Sequence, residues 1–286
     1  MTDANLHPAG ALGPPADLIS LLVSDVDGTL VTPEKELTAA TIAAVRRLRP
    51  AGIRFALISS RPPRGLAMLT GPLGVTTFLA GFNGGALATP DLQVIEEKRL
   101  PVGVAAATME VLAAHGVDAW LFSGNEWVIA NPAQPYIALE RRTVQFSPTL
   151  VDGFAAYLDR AQKITGVSGD FARLDACEAA LRAALGGSAS AARGQRYYLD
   201  VTHLDANKGH GVRAIARRLG VPLAEVATIG DMANDLPMFA VGGLAVAMGN
   251  APPDVQAAAH FVAGPNTADG FAAAVDRFIL PRAKGG

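Results

Sequence analysis

LLVSDVDGTLVT, residues Leu21–Thr32, is the stretch from which the fold of this chain can be read. The short apolar run LLVS leads into Asp25 and Asp27, one residue apart, with Gly28 and Thr29 directly behind. A brief run without alternation of polarity suits a strand covered on both faces, as in parallel sheets. Two carboxylates at the end of such a strand repel each other, and burial disfavours their ionised forms. The pair therefore calls for a cation, or for chemistry that uses both acids.

Working outward, apolar runs alternate with helical patterns. TAATIAAVRRLRPAG (38–52) has Thr38 as a plausible N-cap and Gly52 as a plausible stop. IRFALIS (53–59), PRGLAMLTGPLG (63–74) and TTFLAGFNG (76–84) continue as strand, helix and strand. Near the C-terminus the alternation returns: KGHGVRAIARRLG (208–220), VATIGD (226–231), ANDLPMFAVGG (233–243), LAVAMGN (244–250) and PPDVQAAA (252–259). Strands separated by helices imply right-handed crossovers and a parallel sheet. Residues 88–198 differ in texture, with helix patterns at 102–115, around 150–162 and at 171–185. A hairpin is expected over 118–131, turning at Ser123-Gly124-Asn125, and a strand at QKITGVSGD. The Gly/Ser/Ala-rich GGSASAARG (186–194) then leads into QRYYLDVTH.

The expected architecture is α/β: a Rossmann-like, three-layer, parallel-sheet core with an inserted α+β cap domain. Residues 18–87 and 199–286 form the core, 88–198 the cap, and 1–17, rich in Pro, Gly and Ala, a flexible tail.

Composition narrows the function. Across 286 residues, 24 Lys and Arg face 26 Asp and Glu, which removes the electrostatic case for nucleic acid or an anionic membrane. The single cysteine, Cys177, excludes an internal disulfide, suits a reducing cytoplasm and sits at helical spacing as a buried thiol. No apolar stretch reaches the roughly 18 residues of a spanning helix, and the N-terminus lacks the build of a secretory signal. A cytoplasmic protein is expected. The sequence carries no sign of oligomeric state.

Three apolar runs end in a polar residue before a loop: LLVS at Asp25, FALIS in Ser59 and ATIG at Asp231. In a parallel sheet the carboxyl ends of the strands share one edge, where such folds bind ligands. Asp25, Asp27, Asp231 and Asp235 would meet there, and an oxygen-only set selects a hard cation, Mg²⁺ by default. Lys208, at the start of a helix, offers an ammonium beside helix N-terminal amides, which suits a phosphate. Ser59 could add a hydroxyl and a backbone N–H.

These residues resemble the motifs of the haloacid dehalogenase superfamily of phosphohydrolases, in its Cof-like branch with a type IIB cap. Asp25-Val26-Asp27-Gly28-Thr29 is similar to the first motif, Ser59 to the second, Lys208-Gly209 to the third and Gly230-Asp231-Met232-Ala233-Asn234-Asp235 to the fourth. FNGGAL (82–87) and NTADGFA (266–272) resemble softer features of the branch, with Ser60 and Gly85 departing from its usual residues. The resemblance implies a small phosphorylated substrate closed over by the cap, with no nucleic-acid or membrane partner. Asp25 is then the nucleophile, Asp27 the general acid/base, and Asp25, Asp27 (through its carbonyl) and Asp231 the Mg²⁺ ligands. Ser59, Lys208, Asn83 and Gly84 bind the phosphoryl group, while Asn234 and Asp235 orient the metal waters and Lys208.

Other readings fit less well. A calcium loop starting at Val23 lacks an acidic first ligand and an incoming helix. GHGVRA (209–214) mimics a dinucleotide fingerprint, yet the polar HLDANK separates it from any strand. A phosphomutase on the same core and a non-catalytic binding module remain as alternatives, the latter leaving Asp27 without a task. His203 and His210 are expected on solvated positions and Arg61 in a local role at the Ser59 loop. For Trp120, Trp127, Tyr136, Arg141 and Arg142, packing or a wet surface is expected ahead of substrate contact.

Overall fold

The structure, a computed structural model, describes residues 12–284. The first eleven residues of the expected tail lie outside them. From Gly13 onward the chain is tied down: the Gly13 carbonyl lies 2.9 Å from His260 Nε2, and Ala16 N donates to Gly243 O.

Along the chain, β1 (Leu21–Ser24) is buried throughout. α1 (Ala39–Leu48) starts at Thr38, whose hydroxyl accepts from Thr41 N. β2 (Arg54–Ile58) follows, then a 3₁₀ turn and α2 (Ala67–Leu73), then β3 (Leu79–Gly81). β4 (Ala86–Ala88) and β5 (Val94–Glu97) come next. α3 (Val102–Ala114) leads to the hairpin β6 (Asp118–Ser123) and β7 (Glu126–Ile129), which turns where expected. After α4 (Ile137–Val144) come the two-residue β8 (Thr149–Leu150), β9 (Lys163–Val167) and α5 (Phe171–Leu185), the last capped by Asp170 accepting from Arg173 N. β10 (Ser190–Gln195), β11 (Tyr198–Thr202) and α6 (Lys208–Leu219) follow. Three parallel strands come next, β12 (Val226–Gly230), β13 (Leu244–Ala247) and β14 (Phe261–Val262), and short helical segments follow them as far as Arg282.

The class is α/β, and the chain forms two compact units. The first, residues 1–56 and 216–286, carries the strand order β14-β13-β12-β1, all parallel. The register pairs Ser24 with Ile229, so β1 and β12 run out at the same end. That end is where both acidic motifs begin.

The second unit, residues 57–215, takes up the end of β2, which pairs parallel with β3. β4 and β5 extend this sheet antiparallel, a departure from the all-parallel expectation. They are a short hairpin whose polarity does not alternate enough to be read. Residues 118–202 of the same unit form a six-stranded sheet, β10-β11-β9-β6-β7-β8. The compact boundaries thus fall at 56/57 and 215/216, where the texture of the sequence changes at 87/88 and 198/199. Packing explains the difference. Phe82 and Ala86 share one apolar cluster with Trp120, Phe122, Trp127, Val144 and Phe146.

Within the six-stranded sheet, successive side chains point to opposite faces. Leu121, Val128, Ile164, Leu199 and Val201 meet α3 and α5 through Leu112, Leu174, Cys177 and Leu181. Cys177 is buried as expected, and burial pushes its thiol up. Trp120, Phe122 and Trp127 occupy the other face, packed on one another; Trp120 and Trp127 meet edge to face at 5.0 Å. These tryptophans are core, in line with the packing reading.

Three local expectations need correction. The helix around 150–162 is a 3₁₀ segment, Ala155–Arg160, with no buried side chain to hold a longer helix. α4 was not foreseen because its residues carry no capping signal; Tyr136 precedes it in a left-handed conformation, φ 69°. Part of the Gly/Ser/Ala-rich stretch is β10, whose order comes from its antiparallel partner β11.

Leu181 is fully buried between α5 and the sheet. Leu181→Ala is expected to cost about 3 kcal/mol, read as a lowered guanidinium midpoint with an unchanged slope.

Candidate active site

The first unit builds an acidic centre. Asp25 follows β1, and its backbone N–H donates to Ile229 O at 2.9 Å, a continuation of the β1–β12 ladder. Asp231 follows β12 on the same edge. One carboxylate oxygen from each of Asp25, Asp231 and Asp235 lies within 4.8 Å of the others, and all three residues are buried. Residues some 200 positions apart therefore converge, as the parallel topology demands.

Asp235 also shapes the loop. Its Oδ2 accepts from Asp231 N at 2.8 Å and Met232 N at 2.9 Å, closing the turn that carries Asp231. Thr29 Oγ1 donates to Asp231 Oδ1, and Asn250 Nδ2 to Asp231 Oδ2 at 3.2 Å and to Gly28 O at 2.9 Å. Asn250 ends a strand-like run without a motif around it, so only the fold reveals its part. Asn234 is exposed.

Asp27 is set apart from this trio. Its carboxylate pairs with Lys35 Nζ at 2.7 Å, both side chains about a quarter exposed, at 26% and 30%. Lys35, in the left-handed region at φ 69°, went unnoticed in the sequence because a lone lysine in a loop carries no signal. Gly28, between the two acids and Thr29, is obligatory. At φ 83° a Cβ would stand 2.2 Å from Asp231 Oδ2.

The donors fit a hard divalent cation. Three carboxylates and no nitrogen or sulfur match the preference of Mg²⁺-like ions. Without a cation, two charges at such a separation repel by roughly 3 kcal/mol at an effective dielectric near 20.

The second unit gathers the other expected residues. Ser59 follows β2, is buried, and its Oγ accepts from Arg61 N at 3.2 Å. Ser59 N donates to Ala80 O, Asn83 N to Ser59 O at 2.8 Å and Phe82 N to Arg61 O at 2.9 Å. The loops 59–61 and 82–84 are thereby stitched together. Gly84, φ 90°, sits so close to α6 that a Cβ would stand 2.8 Å from Asn207 O and from Gly211. Asn207 Oδ1 caps α6 by accepting from His210 N, and Lys208 opens the helix with a buried side chain. Ser59, Asn83, Gly84 and Lys208 thus belong to one framework of two loops and a helix start, a setting suited to an anion.

Charged groups of the six-stranded sheet reach this framework. Arg61 is buried; its Nη1 makes the expected local bond to Gly65 O at 3.4 Å and, beyond that role, donates to Thr143 O at 2.8 Å. Lys163 Nζ donates to Ser60 O and pairs with Asp200 at 3.6 Å. Tyr198 donates its hydroxyl to Glu140 at 3.3 Å. Burial pushes the Glu140 carboxyl up, against the pull of Lys163. Lys163, Asp200 and Glu140 were missed because a period-two pattern does not say what lies opposite a strand. Arg141 and Arg142 are exposed, and His203 and His210 engage local backbone groups around Asp205.

A family model of haloacid dehalogenase-like hydrolases matches residues 22–275. A pyridoxal phosphate phosphatase, YbhA, of Escherichia coli K12 is 26% identical over 88% of this chain and 96% of its own length. An HMP-PP phosphatase of Cronobacter sakazakii is 26% identical over 82% of this chain and 85% of its own. A solved haloacid dehalogenase-like hydrolase from Bacteroides thetaiotaomicron superposes with a TM-score of 0.84 at 29% identity, covering 91% of this chain and 99% of that one. Among the described residues no helix is long and apolar enough to cross a membrane.

Two outcomes follow. Gly28→Ala is expected to destabilise the fold by about 1–3 kcal/mol through strain, and to weaken divalent-cation binding as Asp231 is displaced; thermal melts and calorimetry read the two effects. A raised carboxyl pKa means that the charged form of Glu140 is penalised by folding. Glu140→Gln should therefore leave the melting temperature unchanged below pH 4.5, the ordinary glutamate value. As pH rises further, the variant should become more stable than the wild type.

Proposed function

The chain belongs to the haloacid dehalogenase-like hydrolases, and from that premise we propose that it is a Mg²⁺-dependent phosphatase of small phosphorylated metabolites. Sugar phosphates are the favoured class, and the reaction passes through an aspartyl-phosphate. One observation carries the reading: Asp25 converges with Asp231 and Asp235 at the end of two parallel strands. Relatives named for small phosphorylated compounds support the substrate class.

In this reading a carboxylate oxygen of Asp25 attacks phosphorus, and the bond from phosphorus to the ester oxygen breaks. Asp27 gives a proton to the departing oxygen. It then takes one from water, whose oxygen attacks the phosphorus and releases inorganic phosphate, restoring Asp25. Ser59, Lys208, Asn83 and Gly84 would bind phosphoryl oxygens, while Asn234 and Asp235 are positioning residues of the acidic centre, Asp235 through the Asp231 and Met232 amides.

Asp25, Asp231 and the Asp27 carbonyl would hold Mg²⁺, which supplies positive charge between nucleophile and phosphate. The need is set by magnitude: a carboxylate about 4 Å from one phosphate charge is repelled by ~4 kcal/mol at an effective dielectric near 20.

Asp25→Asn is expected to lower phosphate release from an aryl phosphate by on the order of a thousandfold or more while circular dichroism stays unchanged. Chelation should silence the wild type and Mg²⁺ restore it. Full Mg²⁺-dependent turnover in the variant would overturn the nucleophile assignment.

A further inference from the structure

We propose that Lys163 is a positioning residue for the Ser59–Arg61 loop, acting on phosphoryl binding through that loop and not by touching substrate. The proposal rests on the phosphatase reading above, which makes this loop part of the phosphoryl site.

Lys163 is out of place by ordinary packing logic. It opens β9, and the register sets it between Phe122 on β6 and Thr202 on β11. The same face continues through Trp127, and its neighbours form an aromatic cluster with Phe82. A leucine or methionine would fill this volume, whereas a buried ammonium costs free energy unless it is paired and hydrogen-bonded. Lys163 is nonetheless only 7% exposed.

Its contacts show where the charge is spent. Nζ donates to the Ser60 carbonyl at 3.3 Å, between Ser59 and Arg61. It stands 4.8 Å from the ring centre of Phe122 and 5.8 Å from that of Phe82. Asp200 Oδ2 balances it at 3.6 Å, and Asp200 is itself held by Thr165 Oγ1 at 2.6 Å. One ammonium therefore grips both stitched loops. The second loop needs such a grip, because Phe82 and Asn83 adopt left-handed φ values of 52° and 57°, a strained conformation for a bulky phenylalanine. On the other side the loop is fixed by Arg61, whose guanidinium reaches Thr143 O. Removing the ammonium takes a donor from the Ser60 carbonyl and strands Asp200, so the Ser59 hydroxyl loses its fixed aim; the Ser59 N–H, expected at the phosphoryl group, is instead committed to Ala80 O.

The test uses the full chain with Mg²⁺ and inorganic phosphate as the probe. Lys163→Met keeps the stem and removes the charge. Calorimetry should show phosphate binding weakened about tenfold, the scale of one lost charged hydrogen bond. Turnover of an aryl phosphate and of a hexose phosphate should fall by the same factor, and Lys163→Arg should recover most of both. Unchanged phosphate affinity and aryl phosphate turnover would overturn the proposal. A loss confined to the hexose phosphate would overturn it too, by showing that Lys163 reads the leaving group. Should Lys163→Met not fold, Lys163→Gln retains a neutral donor; a smaller loss of phosphate affinity supports the proposal and no loss overturns it. If the wild type hydrolyses neither ester while phosphate binding still weakens in the variant, the phosphatase reading falls and the positioning role stands.

Discussion

Repulsion among buried carboxylates is the constraint on which the rest of this structure turns. Asp25, Asp231 and Asp235 are held within a few ångströms of one another by backbone that does not yield. The β1–β12 ladder sets Asp25, the bonds from Asp231 N and Met232 N to Asp235 set the second loop, and Thr29 and Asn250 hold Asp231 from two further directions. A centre so over-determined cannot relax by spreading its charges. Its oxygen donors suit a hard cation, whose charge would offset the repulsion. Gly28 pays the conformational cost of bringing the β1 loop against Asp231.

The second unit solves a related problem with positive groups. The loops around Ser59 and Asn83 have little regular structure of their own, so their carbonyls and amides are satisfied by each other and by side chains from the six-stranded sheet. This is why residues 57–88 pack as part of the same body as the sheet, although they read as a continuation of the parallel alternation. Arg61 and Lys163 are long, buried cations whose stems lie along apolar surface while their heads serve backbone carbonyls. Glu140 and Asp200 belong to the same charged seam, and the raised carboxyl of Glu140 reflects how dry that seam is.

Elements with strong local signals were legible in advance. Thr38 caps α1 as expected, and α5 falls on the expected 171–185, where the structure adds Asp170 as its cap. The hairpin at Gly124 was legible for the same reason, its turn chemistry being written in three adjacent residues. By contrast β4, β5 and β10 are strands because a partner lies beside them, and α4 is a helix that begins without a cap. The segment 155–160 shows the converse, a helical composition whose side chains are only partly buried against the cluster around α3 and which tightens into a 3₁₀ turn.

For the candidate site, what the sequence by itself determined is that acidic motifs close two strands, at Asp25 and Asp231. Those features are local, because a strand followed by Asp-x-Asp-Gly-Thr or Gly-Asp-x-x-Asn-Asp constrains its own backbone and its own donors. What only the tertiary structure decided is the company these residues keep. Asn250 on Asp231 and Lys163 under Ser60 are pairings across a sheet or between loops. Such pairings depend on which strands lie side by side and in what register, a property of the folded sheet that no single segment contains.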